Sequence, residues 1–248
     1  EDVHSLPHNY IHQITEDIQH NIWILTDGGI AQYRRSSDDF AIPLDDRGHP
    51  ILAYSACLTE QGVIFGGRNR IYRYDYDSRS IKLLLDFSSD PYFAISAISR
   101  WDEETLLCCS RWQGLRLINL RSGERRLPPF DCGKEIMALL IDSHNRIWLA
   151  PYNEGLRCFN PEGRLLASYT TDNSGLSNNV VLSMAERDSH IWVGTDGGGI
   201  NSFNPLTEKF IHYPSTWEDK VASICQFTPG KLLISLFSQG VFIFNPAT

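Results

Sequence analysis

The chain has 248 residues, 42% of them hydrophobic and 21% charged, with a formal net charge of −8. That length suits one large domain or two small ones, and the chain is too apolar to be disordered. The acidic balance argues against a nucleic-acid backbone or an anionic membrane surface as main partner. The longest apolar run, Ile136 to Ile141, falls far short of the roughly 20 residues that cross a bilayer.

Taken in chain order, one pattern recurs through the whole sequence. It is clearest as Asn21-Ile22-Trp23-Ile24-Leu25-Thr26-Asp27-Gly28-Gly29-Ile30. Weaker copies follow at Gly62-Val63-Ile64-Phe65-Gly66 to Arg70-Ile71 and at Leu106-Leu107-Cys108-Cys109 to Gly114-Leu115. Arg146-Ile147-Trp148-Leu149-Ala150 to Gly155-Leu156 restores the pattern. His190-Ile191-Trp192-Val193-Gly194-Thr195-Asp196-Gly197-Gly198-Gly199-Ile200 repeats it most fully, and Leu232-Leu233-Ile234-Ser235 to Gly240-Val241 ends the series. The glycine before the second apolar stretch, or its stand-in, falls at Gly29, Arg70, Gly114, Gly155, Gly199 and Gly240, so the period alternates between 41 and 44 residues. Four residues after each stands a large apolar side chain: Tyr33, Tyr74, Ile118, Phe159, Phe203 and Phe244.

Each period holds up to four short runs rich in β-branched and aromatic residues, separated by turn residues. In the fifth copy these are Val180–Ala185, Ile191–Thr195, Gly199–Phe203 and Lys209–Tyr213. A period in the low forties with four strands predicts an all-β fold, a β-propeller of six blades. The blades are expected at about 6–45, 46–90, 91–131, 132–174, 175–216 and 217–248, within a single propeller domain spanning 1–248. The last blade lacks its own outer strand, which Glu1 to Ser5 would supply if they latch the array; an open edge is otherwise a liability. The alternative, which the repeat boundaries at both ends favour, is that the chain is part of a longer array. The start at Glu1, with no initiator Met and no signal-peptide pattern, is expected of a processed or excised segment.

The Trp of each second strand is expected to pack on the next blade and to need one local acceptor for its N–H. The glycine opening the third strand is expected to supply a positive φ or a close approach. Arg70 breaks that rule, so the second blade must turn differently. The six cysteines, at 57, 108, 109, 132, 158 and 225, fit no zinc spacing and are too few for a disulfide scaffold. Most read as small apolar core residues.

At the fifth copy the likeness becomes specific. Gly175-Leu176-Ser177-Asn178-Asn179-Val180, Met184-Ala185-Glu186, Ile191 to Ile200 and Phe203-Asn204-Pro205 resemble the two-component regulator propeller repeat. Leu6-Pro7-His8-Asn9-Tyr10, Ile14-Thr15-Glu16-Asp17 and Ile22-Trp23-Ile24 echo it. The resemblance runs through essentially the whole chain, strong in copies one, four and five and weak in two, three and six. It implies the periplasmic sensor half of a hybrid two-component histidine kinase, with paired propellers, a small β-sandwich, a membrane helix and then the kinase. It also implies sensing of a polysaccharide breakdown product, and propellers of about seven blades.

No nucleophile elbow, P-loop or His-Glu-x-x-His motif is present. Asp196-Gly197-Gly198-Gly199 joins two strands and opens no helix, so it reads as a tight turn. His20, His144 and His190 recur before second strands and read as turn residues, with no metal site expected. Glu16, Asp17, Asp142 and Glu186 end inner strands and are expected to cap the following turns. The inner-strand ends show no evident His or Tyr base beside a carboxylate, so no catalytic residue is assigned and no cofactor is expected.

Binding is the better expectation. The turns between second and third strands share one face with the connections from outer to inner strands. These turns are unlike one another, and several carry aromatic or amide side chains in a polar setting. The candidate ligand-binding residues are Arg68 and Asn69; Tyr92; Arg111, Trp112 and Gln113; Tyr152, Asn153 and Glu154; Trp217; and Phe237 and Gln239. Aromatic plates suit the C–H face of a sugar, with amides, carboxylates and guanidinium groups on its hydroxyls or anionic groups. The bland reading is that they pack against a neighbouring propeller or β-sandwich. Three functions stand: an oligosaccharide sensor without chemistry of its own, a structural platform for partner domains or a homodimer, and a propeller lyase.

Overall fold

The computed structural model describes residues 5–90, 92–110, 113–130, 132, 135–214 and 219–247. Among them the chain is all-β, with no helix. It is a β-propeller built of antiparallel sheets in chain order. The first sheet is β1 (Ile11–Glu16), β2 (Ile22–Thr26), β3 (Gly29–Arg34) and β4 (Asp39–Ala41). The second is β5 (Ser55–Thr59), β6 (Gly62–Gly66), β7 (Arg70–Asp75) and β8 (Ser80–Asp86). The third is β9 (Ile95–Arg100), β10 (Thr105–Ser110), β11 (Gly114–Asn119) and β12 (Arg125–Arg126). The fourth is β13 (Ile136–Ile141), β14 (Ile147–Pro151), β15 (Leu156–Phe159) and β16 (Leu165–Tyr169). The fifth is β17 (Val181–Arg187), β18 (His190–Thr195), β19 (Ile200–Asn204) and β20 (Lys209–Tyr213).

The sixth sheet is β21 (Val221–Thr228), β22 (Lys231–Leu236) and β23 (Gly240–Phe244). It has three strands among the described residues, as the missing outer run predicts. Glu1 to His4, most of the expected latch, lie outside the described residues. The contacts group into two compact units, 1–127 and 128–248, of three sheets each. Within each unit the inner strands of consecutive sheets touch: β1 with β5 and β5 with β9, then β13 with β17 and β17 with β21.

A β-sheet has two faces and cannot cover both by itself. The second strands solve this with Trp. Trp23, only 1% exposed, meets Phe65 and Tyr74 of the next sheet at centroid distances of 5.3 and 4.7 Å. Trp148 meets Phe203 at 5.4 Å, and Trp192 meets Phe244 at 6.0 Å, both edge-on. The recurring large residue of the third strand is thus the receiving side of the joint. In the second, third and sixth sheets the strand register puts Ile64, Leu107 and Leu233 where the Trp stands. In the second sheet Ile64 packs into an aliphatic and aromatic cluster with Phe93, Ile95 and Leu106 in place of an indole.

The local acceptor is a buried carboxylate. Trp23 Nε1 donates to Asp17 Oδ2 and Trp148 Nε1 to Asp142 Oδ2, each at 2.8 Å. Both aspartates also hold the turn that brings the Trp round. Asp17 Oδ1 accepts from the amides of Gln19 and Asn21, and Asp142 Oδ1 from those of His144 and Arg146. Capping is therefore borne out for these two. The fifth sheet departs from the scheme. Arg187 takes the aspartate's place, buried, and donates through Nη1 to the carbonyl of Lys231 in the next sheet. Glu186 does not cap its own turn; its oxygens accept from the amide and hydroxyl of Ser143, in the turn of the preceding sheet.

Glycine serves the third-strand openings as expected, with φ of 67° at Gly114, 74° at Gly155 and 72° at Gly199. Arg70 opens β7 opposite Asp86 of β8 and ion-pairs with it. The tight spot has moved to Gly67, where a Cβ would sit 2.4 Å from the carbonyl oxygen of Leu52. Cys108, Cys109, Cys132 and Cys158 are buried. Burial pushes the Cys57 and Cys158 thiols up to about 12, so both stay protonated and inert.

Trp148→Ala is expected to cost about 3–5 kcal/mol in urea unfolding, through lost burial and the cavity left behind. Asp142→Ala leaves the indole N–H and two turn amides without their acceptor, and is expected to cost about 1–3 kcal/mol. In a Trp148→Phe background the Asp142→Ala cost should shrink; an unchanged cost would show that the carboxylate serves only the turn.

Candidate functional site

The turns between second and third strands and the outer-to-inner connections come together within each unit. In the first unit, Gly67 and Asn69 of the β6–β7 turn are tied to the connection before β9. The Phe87 amide donates to Asn69 O and the Ile95 amide to Gly67 O. Arg68 sits exposed between them. The organising group of that connection is Asp90. It accepts from Gln113 Nε2 at 3.1 Å and from Arg125 Nη1 at 2.8 Å. The Arg125 guanidinium also lies over the rings of Phe87 and Phe93, 5.0 and 4.8 Å from their centroids. The hydrogen bonds from Gln113 and then Arg125 hold the Asp90 carboxyl below the ordinary aspartate range. Tyr92 projects from this braced connection, 70% exposed. Tyr92, Gln113, Arg68 and Asn69 thus share one braced end of the unit. Arg111, Trp112 and Trp217 lie outside the described residues.

In the second unit, Tyr152, Asn153 and Glu154 form the β14–β15 turn. Tyr152 is 53% exposed, with its amide donating to Glu135 O. Asn153 adopts a positive φ of 58°. Glu154 ion-pairs with Arg157 on β15, so its charge is already engaged by its own sheet. Phe237, 55% exposed, and Gln239 lie on the β22–β23 turn. That turn is held by the Phe237 amide on Lys220 O and by Asp219 Oδ2, which accepts from the amide and hydroxyl of Ser238. The Ser238 hydrogen bonds lower the Asp219 carboxyl. Between these turns in chain order, Asp196 of the β18–β19 turn pairs with Lys220 at 3.0 Å. The tight-turn reading of Asp196 to Gly199 holds, since the amide and hydroxyl of Thr195 both donate to Gly199 O.

Of the three recurring histidines, His20 and His144 lie in connections as expected, whereas His190 opens strand β18. His20 adopts a φ of 64° with Nδ1 2.9 Å from Glu16 Oε1, the His144 amide donates to Asp142, and His190 Nδ1 lies 2.9 Å from Asp188 O. One constellation escaped the sequence. His12, at the start of inner strand β1, places Nε2 2.6 Å from Asp27 Oδ1 in the β2–β3 turn. The rings of Tyr10 and Tyr54 pack edge-on to the same imidazole at 5.0 and 4.9 Å. The β1–β2 register sets Ile11 opposite Thr26 and Gln13 opposite Leu25, which leaves His12 as the extra residue of an irregularity that no sequence signal marks.

The comparisons with known proteins fit this geometry. The family model described as "Two component regulator propeller" matches residues 5–28 and 175–197. No curated protein sequence matches the chain. Among solved structures, the extracellular domain of a putative hybrid two-component system from B. thetaiotaomicron superposes with a TM-score of 0.71 at 17% identity, covering 98% of this chain and 34% of its own. A second such ectodomain from the same organism gives 0.71 at 19%, covering 100% of this chain and 33% of its own. A structural genomics protein of unknown function from Bacteroides thetaiotaomicron gives 0.74 at 13%, over 99% of this chain and 71% of its own. At these identities the likeness establishes the fold, and the chain spans about a third of the two ectodomains' length.

A depressed carboxyl pKa means that the ionised, hydrogen-bonded Asp90 persists above the ordinary value and is lost as pH falls through the lowered one. In an NMR titration the Gln113 side-chain amide signals are therefore expected to move with a midpoint below 3.8. Gln113→Ala should carry the Asp90 midpoint back toward 3.8; no movement would show that Gln113 does not hold the carboxylate.

Proposed function

We propose that this chain, which carries two-component regulator propeller repeats, is a ligand-sensing part of the extracytoplasmic, periplasmic region of a hybrid two-component sensor kinase. It binds an oligosaccharide released from a polysaccharide, without chemistry of its own. Kinase activity lies in other domains of the polypeptide, and a neighbouring propeller or β-sandwich relays the bound state across the membrane. The observation that carries this reading is the set of exposed aromatic side chains, Tyr92, Tyr152 and Phe237, on turns whose backbone is braced by hydrogen-bonded or ion-paired groups. Large aromatic surfaces on a rigid mount suit the C–H face of a sugar at little entropic cost. The likeness to two solved extracellular domains of hybrid two-component systems supports the extracytoplasmic placement. Among the described residues no helix is long and apolar enough to cross a membrane.

A second reading, a docking platform, is favoured by the outer strands. Leu83 on β8, Leu165 and Leu166 on β16, and Ile211 on β20 are all largely exposed. Single exposed apolar residues are ordinary, but their recurrence on the outer strands suits a partner domain.

Titration calorimetry and melting curves with plant and host glycan oligosaccharides test the sensor reading. Binding heat and a raised melting temperature without product formation are expected. Tyr152→Ala and Trp112→Ala should each weaken binding about tenfold while scarcely moving the melting temperature. Trp192→Ala should do the reverse. Equal behaviour of all three would mean that exposed turn and buried joint are not separate, and silence with every glycan would favour the platform.

A further inference from the structure

We propose that the joint between the second and third sheets holds a binding site for a small aromatic carboxylate. The site goes beyond the sensor reading and does not depend on it. The preceding joint shows what is normally present. There Trp23 packs with Tyr74 and Tyr76, and Asp17 accepts its N–H. One sheet further on, each of these groups is smaller or missing. Ile64 stands in place of Trp23, and Ile118 and Leu120 stand where the second sheet has Tyr74 and Tyr76. Strands β5 and β6 are joined by Glu60 and Gln61 alone, so no residue takes the part of Asp17. What remains is a cavity of about 370 Å³ lined by Ile64, Leu106 and Leu120, a volume within the range of small-molecule sites. The β5–β6 and β9–β10 connections border it, so it lies at the opposite end of the strands from the second-to-third turns.

The polar lining selects a carboxylate. Arg73 stands opposite Ile64 in the β6–β7 pairing, and Arg100 opposite Leu106 in the β9–β10 pairing. Both line the cavity and are half-buried, whereas Glu60, Asp102 and Glu103 stand exposed at its rim. Arg121 and Glu104, also bordering it, pair with each other. Arg73 has Asp75 3.7 Å away, near the limit of an ion pair. Arg100 donates through Nε to the carbonyl of Asp102 at 3.3 Å, and among the described residues it ion-pairs with no carboxylate. A half-buried guanidinium without a counter-ion carries a desolvation cost that a ligand carboxylate removes. Its planar fork directs parallel N–H groups at such a ligand. The exposed rim acids oppose this weakly, because solvent screens them. The space left by an indole and two phenol rings is flat and apolar. The ligand body that fits it is one aromatic ring or a fused pair, supplying from outside the ring that Trp23 supplies to its own joint.

The test is calorimetry of the full chain with indole-3-acetate and phenylacetate. The controls are tryptophol, which lacks the charge, tryptamine, which reverses it, and hexanoate, which lacks the ring. The two aromatic carboxylates are expected to bind and to raise the melting temperature, and each control to bind about tenfold more weakly. In methyl NMR spectra the Ile64 and Leu106 signals should move on binding, through the ring current of the ligand. Arg100→Gln should weaken indole-3-acetate about tenfold and leave tryptophol unchanged. Ile64→Trp, which puts the indole back, should abolish binding; Leu120→Tyr narrows the same space and serves if Ile64→Trp does not fold. No binding of either aromatic carboxylate to the native chain overturns the site. Binding that leaves both methyl signals unmoved overturns it too. Preference for tryptamine, or equal binding of tryptophol, overturns the carboxylate, and equal binding of hexanoate overturns the aromatic class. None of these outcomes touches the turn aromatics, so the site and the sensor reading stand or fall separately.

Discussion

Every blade-like sheet here faces the same constraint: it must hide two apolar faces and has only its neighbours to hide them against. The indole of the second strand meets that constraint where it is present. Trp23, Trp148 and Trp192 each project from one sheet onto an aromatic side chain of the next, Tyr74, Phe203 or Phe244. Burying an indole also buries an N–H, which needs an acceptor in the same dry space. Asp17 and Asp142 provide one and, through their second oxygen, shape the turn that delivers the Trp. One carboxylate thus links a local turn to the joint between sheets.

With the strands committed to these joints, chemical variety is left to the connections at one end of each unit. Their variety does not make them loose. Asp90 in the first unit and Asp219 in the second are each hydrogen-bonded to a neighbouring turn, and both carboxyls are held below their ordinary range by those bonds. Tyr92 and Phe237 project from segments so braced. Rigid mounting lowers the ordering cost of binding, so the same bracing that stabilises the connections prepares them for a ligand.

The departures from the repeat are as informative as the copies. Ile64 takes the Trp position in the second sheet, and the joint there becomes a cluster of aliphatic and aromatic side chains such as Phe87, Phe93, Ile95 and Leu106. In the fifth sheet the buried Arg187 reaches forward to Lys231 O and Glu186 reaches back to Ser143, so polar bonds between sheets supplement the indole. A propeller tolerates such exchange because each joint is local: a changed joint affects two sheets, not the whole array.

The strand pattern, the period, the propeller class and the division between buried Trp and variable turn were legible in the sequence. Each follows from interactions a few residues apart, namely alternation, turn residues and a fixed spacing between glycine and aromatic. The positive φ of Gly155 and the need for a different turn before Arg70 were foreseeable for the same reason. What depended on residues distant in the chain was not legible. Glu186 seeks Ser143, 43 positions away, in place of its own turn, and Gln113 reaches back 23 positions to Asp90. His12 meets Asp27 only because two strands pair in one register, and meets Tyr54 only because a second sheet lies beside the first. The sequence carries the strands because their forces are local and periodic; the meeting of side chains from separate strands is decided by register and by the packing of one sheet on the next.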